Sequence, residues 1–348
     1  MAKLFFLLSG ENPTMPASEA LAILETEGHS YSVVEVMTQV LRLNANAESV
    51  KAVPLRSAFT RLCALELFVS DANYGDILKV AEETDFKNVL NPGESFVVRI
   101  NRIKNFADQT VNTMELEIKL GRQILKHIPE AKVNLKNPDK TFIGIITDEK
   151  LVFGLKLTEI SSKTFSERRP RKKPFFHPSA MPAKLARCMI NFAHAKTEKT
   201  VLDPFCGTGS TLIEAAYIGC NVLGVDAAKR MVIGCRKNLR FFNINADGLF
   251  LSDARKLPFF KVDCIVTDPP YGRSASTLKS TTRELVNDVL LAAYSLLPTG
   301  HRICIASPKT LNIKAIGVSI GFKHVESHFA YVHRTLTREI AVFEKESV

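Results

Sequence analysis

Seven cysteines lie scattered along the 348-residue chain, at Cys63, Cys188, Cys206, Cys220, Cys235, Cys264 and Cys304, and none belongs to a Cys-x-x-Cys pair. No Cys/His set has the spacing of zinc ligands, so no structural metal is expected. An odd, dispersed count reads as reduced, buried thiols rather than a disulfide framework. Long apolar runs are missing too, since nothing approaches the ~20 residues that cross a bilayer. Neither a membrane anchor nor a leader is expected, and cytoplasm is the expected location. Long-period repeats and low-complexity tracts are absent. Acidic residues are in deficit, 36 against 46 Lys plus Arg, which leaves a formal net charge of +10. That excess favours a polyanionic partner, because each phosphate neutralised releases condensed counterions. Its distribution is uneven: Lys163, Arg168, Arg169, Arg171, Lys172 and Lys173 crowd one segment against a single acid, Glu167.

What is present is an ordinary globular composition, 46% hydrophobic and 24% charged, in a chain long enough for two or three domains. The basic segment, residues 161–176, divides two patterns. Before it, short strands and helices alternate. Strands are predicted at Leu4–Leu8, Ser32–Val36, Gln39–Leu43 and Cys63–Val69, with helices at Pro16–Glu27 and Glu48–Arg56. This β-α-β-β-α-β order suggests a ferredoxin-like unit, placed at residues 1–60. A helix at Asp76–Glu83, a strand at Ser95–Ile103, a helix at Asn112–His127 and a hairpin pairing Phe142–Thr147 with Leu151–Leu157 predict a second small α/β module at 61–160. Beyond the linker, at 177–348, the strands become continuous apolar runs, as in a sheet buried on both faces. Val201–Leu202, Val222–Val225, Leu249–Leu251, Cys264–Thr267 and Ile303–Ala306 alternate with helical stretches. That rhythm predicts a doubly wound, Rossmann-like parallel sheet. Val325–Val332 and Arg338–Phe343 add an antiparallel hairpin at one edge.

Chemistry-bearing residues sit at the predicted strand ends. Asp203-Pro204-Phe205-Cys206-Gly207-Thr208-Gly209 follows the first strand and leads into a helix near Ser210. A dinucleotide fingerprint needs a third glycine where Leu212 stands, and a P-loop needs a lysine that is missing, so a phosphate ligand is disfavoured. An acid before the glycines suits instead a ligand carrying an amino group. Asp226, seventeen residues beyond Gly209, ends the next strand, where a carboxylate can accept both hydroxyls of a ribose. Asp253 ends the third strand and can receive an adenine amino group. Either aspartate alone reads as a helix cap or a solvated loop residue; three acids at successive strand ends point to one ligand.

The fourth strand ends in Val266-Thr267-Asp268-Pro269-Pro270-Tyr271-Gly272. The lone pair of an aromatic amine is delocalised into its ring and is a poor nucleophile. A carboxylate and outward carbonyls of a proline-rich turn can accept both N–H bonds and draw the nitrogen towards tetrahedral geometry. An aromatic face at Tyr271 can stack on the base. The effect is positioning plus electrostatic stabilisation of a nitrogen becoming cationic.

On Asp268-Pro269-Pro270-Tyr271, the glycine turn and the two further acids, residues 175–345 resemble class I methyltransferases of the amino-methylating branch. The resemblance implies S-adenosyl-L-methionine as cofactor and a direct in-line attack without a covalent enzyme–base intermediate. His177-Pro178-Ser179-Ala180-Met181 is similar to the loop that lines the methionine end of the cofactor there, which implicates His177 and Ser179. The whole chain resembles the archaeal THUMP-containing tRNA guanine-N2 methyltransferases, which act on the guanosine at position ten. The match implies a ferredoxin-like companion at 1–60, a THUMP RNA-binding domain at 61–160 and tRNA as partner. The enzyme is expected to be a monomer, outside any membrane, with the linker cations on the tRNA backbone. Other readings stay open: DNA amino-methylation or ribosomal guanine-N2 methylation by the same chemistry, and a non-catalytic RNA-binding adaptor with a vestigial fold. A C5-pyrimidine enzyme would need a nucleophilic cysteine, and Cys206 lies in the cofactor turn instead.

Overall fold

The computed structural model describes residues 1–46, 48–103, 111–161, 163–271 and 281–347. The chain forms two compact units, one of Met1–Ala20, Gly28–Leu55 and Phe59–Ser161, the other of Leu21–Glu27, Arg56–Ala58 and Ser162–Val348.

In the first unit β1 (Ala2–Leu8), β2 (Tyr31–Met37), β3 (Val40–Ala45) and β4 (Thr60–Asp71) are interleaved with α1 (Met15–Glu27) and α2 (Ser49–Arg56), of which Leu21–Glu27 and Arg56 belong to the second. Then follow α3 (Tyr74–Glu83), β5 (Ser95–Arg102), α4 (Thr113–His127), β6 (Lys132–Val133), β7 (Lys140–Thr147) and β8 (Lys150–Glu159). All eight strands join one sheet, in the order β2-β3-β1-β4-β8-β7-β5-β6. The two modules expected at 1–60 and 61–160 are therefore not separated by a break in the sheet. β4 pairs antiparallel with β1 on one side and with β8 on the other. Twelve residues long, it has apolar side chains enough to serve both halves. The β7–β8 hairpin turns through Asp148 and Glu149, both at positive φ (46° and 60°), the geometry whose twist matches the flanking strands. The Asp148 carboxylate accepts the backbone N–H and hydroxyl of Thr38 at 2.6 and 2.9 Å, which offsets the unusual dihedral. Asn73 and Asn112 cap α3 and α4. The core between these helices and the sheet is aromatic, with Phe86, Phe96, Phe142 and Phe153 almost fully buried.

The second unit contains α5 (Lys163–Glu167), α6 (Ala183–Phe192), β9 (Thr200–Asp203), α7 (Ser210–Ala216), β10 (Asn221–Asp226), α8 (Lys229–Phe241), β11 (Gly248–Leu251) and β12 (Cys264–Thr267). It continues through α9 (Thr282–Leu296), β13 (Arg302–Pro308), α10 (Ile313–Ile320), β14 (Phe322–His333) and β15 (Leu336–Lys345). The strand order is β11-β10-β9-β12-β13-β15-β14. β9 to β13 are parallel and β15 runs antiparallel between β13 and β14. Leu202, Val225, Ile265 and Ile303 bury one face of the sheet with Val286 and Leu290 of α9 and Ile313 of α10. The neighbouring Gly224 points the other way, where a Cβ would stand 2.6 Å from Leu212 of α7. Helices thus cover both faces, as the uninterrupted apolar strands require. The parallel strands all end on one side, and the strand order reverses between β9 and β12, where open α/β sheets bind their ligands. Among the described residues no helix is long and apolar enough to cross a membrane, and no cluster of side chains is suited to hold a metal ion.

Candidate active site at the strand ends

Asp203 ends β9 and is 2% exposed. Its Oδ1 accepts the Phe205 backbone N–H at 3.0 Å and the Thr267 hydroxyl at 2.8 Å, and its Oδ2 accepts the Thr211 hydroxyl. Burial pushes its carboxyl up to about 6 against these three donors, which pull it down. The acceptor expected to face a ligand amine is thus engaged within the protein. Strand β12 and helix α7 close on it from two sides, and Asp203 holds the glycine turn in place while still lining the pocket.

That turn runs through buried Pro204, half-buried Phe205, buried Cys206 and Thr208, and the two glycines. Gly209 caps α7 at φ 80°, and a Cβ there would meet Cys235 Sγ at 2.7 Å, so only glycine fits. Gly207, at φ 49°, would bring a Cβ no closer than 3.8 Å to the Phe205 carbonyl oxygen, and it donates its N–H to Asp226 Oδ2 at 3.1 Å. Asp226 Oδ1 accepts from Ala228 at 2.8 Å, and burial raises this carboxyl above the usual range. The Cys235 thiol beside Cys206, and burial, push the Cys206 thiol upward, which keeps it protonated and unfit as a nucleophile. Asp253 is held by its neighbour: Arg255 Nε donates at 3.0 Å and the second guanidinium nitrogen at 2.5 Å, and this pairing lowers its carboxyl. Ser179, Met181, Phe205, Gly207, Met231 and Asp268 share the pocket with Asp203. His177 shares a 2.7 Å hydrogen bond with the Ser179 hydroxyl and so shapes that loop without itself lining the pocket.

Asp268 follows β12 and faces the same pocket, with its side chain 15% exposed. Oδ2 pairs with the Arg338 guanidinium at 3.0 Å, whereas Oδ1 is buried with no hydrogen-bond partner among the described residues. Burial raises the carboxyl, and the Arg338 charge and a hydrogen bond from the Tyr271 hydroxyl oppose it. Arg338 Nε also donates to the Tyr271 hydroxyl, and burial drives that phenol well up, so it stays protonated. Pro269 is buried and Pro270 half-buried between them; Gly272, the last residue of the motif, lies outside the described residues. The sequence reading missed Arg338. Its signal was a lone cation at the head of the apolar run Ile340–Phe343, which β15 places against the end of β13, opposite Pro308.

The basic segment divides. Arg168 and Lys173, expected on a phosphate backbone, are 8% and 6% exposed and face inward. Arg168 donates twice to Glu214, at 2.6 and 3.1 Å, and lies over the rings of Phe165 and Tyr217. Arg187 pairs with the same carboxylate at 2.9 Å, since an acid 1% exposed needs such partners. Lys173 Nζ donates to Ser210 Oγ at 2.8 Å, and burial lowers its ammonium to about 8. Lys163, Arg169, Arg171 and Lys172 remain exposed.

A family model described as an RMKL-like methyltransferase domain matches residues 170–338, and one described as a DNA methylase matches 76–237. The solved structure of TrmN from Thermus thermophilus is similar in fold, with a TM-score of 0.53 and 21% identity over 99% of each chain. The tRNA (guanine(10)-N2)-dimethyltransferase of Pyrococcus abyssi is 34% identical over 273 residues, 77% of this chain and 79% of its own. The protein of the same name from Methanothermobacter thermautotrophicus is 36% identical over 344 residues, 99% of each. On that full-length likeness, this chain belongs to the tRNA (guanine(10)-N2)-dimethyltransferase family.

Proposed function

We propose that this protein methylates the exocyclic N2 amino group of the guanosine at position ten of tRNA, with S-adenosyl-L-methionine as methyl donor. One atom carries the reading: Asp268 Oδ1, a buried acceptor without a donor among the described residues, at the wall of a pocket on the strand ends. An unsatisfied buried carboxylate oxygen is costly, and an incoming N–H relieves it. The pocket residues fit one end of the cofactor: Gly207 carries no side chain there, and Ser179 and Met181 line the methionine end. Asp226, at the end of β10, and Asp253, two residues beyond β11, lie outside that pocket and are assigned to the ribose and the adenine from their places at the strand ends. When bound, the cofactor supplies an electrophilic methyl group on a sulfonium.

Everything else is done by this chain. Asp268 Oδ1 accepts one N–H of the guanine amine, draws its lone pair out of conjugation, and first receives the proton the nitrogen sheds. Arg338 holds Oδ2, so a single acceptor remains. One acceptor serves both rounds of a dimethylation, because each round removes one N–H. The carbonyls of the Pro269-Pro270 turn serve the second N–H of the unmethylated base. Tyr271, its hydroxyl tied to Arg338, offers its ring to the base plane. A stem guanine shows N2 only in the shallow groove, so the nucleotide is turned out of its stack before reaction. On this reading residues 1–60 are a ferredoxin-like companion and 61–160 a THUMP domain that holds tRNA by shape and phosphate. The all-antiparallel β2-β3-β1-β4 order supports a ferredoxin-like unit, but one that takes in β4 and so extends to Asp71, past the bound at 60.

The test is mass spectrometry of nucleosides from tRNA incubated with purified protein and S-adenosyl-L-methionine. N2-methyl- and N2,N2-dimethylguanosine mapping to position ten are expected, with turnover lowered ~100-fold or more in Asp268→Ala. Modification of DNA or ribosomal RNA alone would overturn the tRNA assignment, and cofactor binding without any methylation would favour an adaptor.

A further inference from the structure

The second unit carries a basic groove that the methyl-transfer site does not use. Helix α8 has five cations, Lys229, Arg230, Arg236, Lys237 and Arg240, and no acid occurs anywhere from Ala227 to Ala246. All five are exposed, and among the described residues none forms an ion pair. Lys229, Arg230, Ile233 and Lys237, at helical spacing, line a groove of about 450 Å³ together with Gly234 and Phe175 from the segment after the basic linker.

The groove is built rather than incidental. Asn238, fully buried, accepts the Phe175 N–H and donates to the Phe175 carbonyl, both at 2.9 Å. The Phe175 ring occupies the space a Cβ on Gly234 would need, and Arg230 lies 5.8 Å from its centroid. Two residues earlier the Lys173–Ser210 hydrogen bond pins the same segment to the head of α7. With Phe175 fixed on α8, exposed Arg171 and Lys172 stand within roughly 14 Å of it along the chain. Lys229, Arg230 and Lys237 of α8 edge a groove with an apolar floor, Phe175 and the half-exposed Ile233. From Lys229 to Arg240 the helix rises about 16 Å. On the same helix, on another face, Met231 lines the cofactor pocket.

We infer that this α8 groove binds the sugar–phosphate backbone of the tRNA substrate, with the cations on phosphates and Phe175 and Ile233 against a ribose or base face. Charge complementarity and the aromatic floor fit a nucleic-acid strand. The inference rests on the tRNA reading above and adds where the second unit grips its substrate.

The experiment uses the full chain with Lys229→Ala, Arg230→Ala and Lys237→Ala combined, titrated with unmodified tRNA at several salt concentrations. Loss of three phosphate contacts should weaken tRNA binding at least about tenfold and flatten the slope of log affinity against log salt by about three. Calorimetric binding of S-adenosyl-L-methionine should be unchanged, and turnover at saturating tRNA should stay near that of the unsubstituted protein. Unaltered tRNA affinity and slope would overturn the groove while leaving the tRNA reading intact. A parallel fall in cofactor affinity would overturn it too, by making the cations structural. Absence of tRNA binding by the unsubstituted protein would sink the groove and the functional reading together.

Discussion

At Asp268, burial and charge pull in opposite directions. Burial favours the protonated acid, and the Arg338 guanidinium 3.0 Å away favours the carboxylate on which amine activation depends. Arg338→Met removes the charge while filling much of the volume. The carboxyl should then move further up, so that the ionised form is lost at a higher pH than in the unsubstituted protein. Turnover falls as pH drops through this group, and its acid limb should shift to higher pH with a ~10- to 100-fold loss near pH 7. A kcat–pH profile checks this, and an unmoved limb would remove Arg338 from the argument. The bond from Arg338 to the Tyr271 hydroxyl also changes what a Tyr271 series should show. A purely stacking tyrosine would tolerate phenylalanine fully. Here Tyr271→Phe should lose part of the activity and Tyr271→Ala more, the added loss being the ~1–3 kcal/mol typical of base stacking. Equal activities in the two variants would exclude a stacking role.

Among the elements, β4 and β8 meet at unusually close range. Gly154 of β8 faces β4 where the pairing register shifts, and a Cβ there would stand 1.9 Å from the Leu65 carbonyl oxygen and 3.0 Å from the Phe5 ring. That carbonyl is backbone and cannot swing aside. Gly154→Ala should therefore spread the two strands and lower stability by about 1–3 kcal/mol. Because the damage is confined to the first unit, cofactor affinity of the folded protein should be unaffected. Denaturation midpoints with cofactor titrations on the same samples test both halves of the statement. Element existence was legible in the sequence because period and punctuation are local: Asp148-Glu149 announced the β7–β8 turn, and the apolar runs announced the parallel strands. The sharing of β4 between two expected modules was not legible. Strand pairing joins residues far apart in sequence, and a strand with two partners has the same apolar pattern as one with a single partner.

For the whole molecule, the buried acid Asp203 links the glycine turn to global stability. Its carboxyl lies near 6 in the folded chain against an ordinary 3.8, so the folded state binds the proton more tightly. Stability from this group is full below about 3.8 and falls as pH rises through about 6, by about 3 kcal/mol in all. Asp203→Asn removes that component. Its stability relative to the unsubstituted protein should improve between pH 4 and pH 7, as read by chemical denaturation, and a difference constant with pH would contradict the assignment. Fragment design is affected at the same scale. The second compact unit includes Leu21–Glu27 and Arg56–Ala58, and the Arg56 guanidinium donates to Asn191 at 3.2 Å and to the Ala195 carbonyl at 2.6 Å. A cut at residue 161 would delete those donors from the unit it was meant to isolate. The sequence by itself determined the order of elements, the glycine turn, and the acids at the strand ends, because these depend on residues adjacent in the chain. Only the tertiary structure decided which charges face outward. Arg168 and Arg169 are adjacent, yet one is buried on Glu214 while the other is exposed. Arg338 reached Asp268 from seventy residues away for the same reason: ion pairing and burial are settled by the packing of distant elements, which no local pattern encodes.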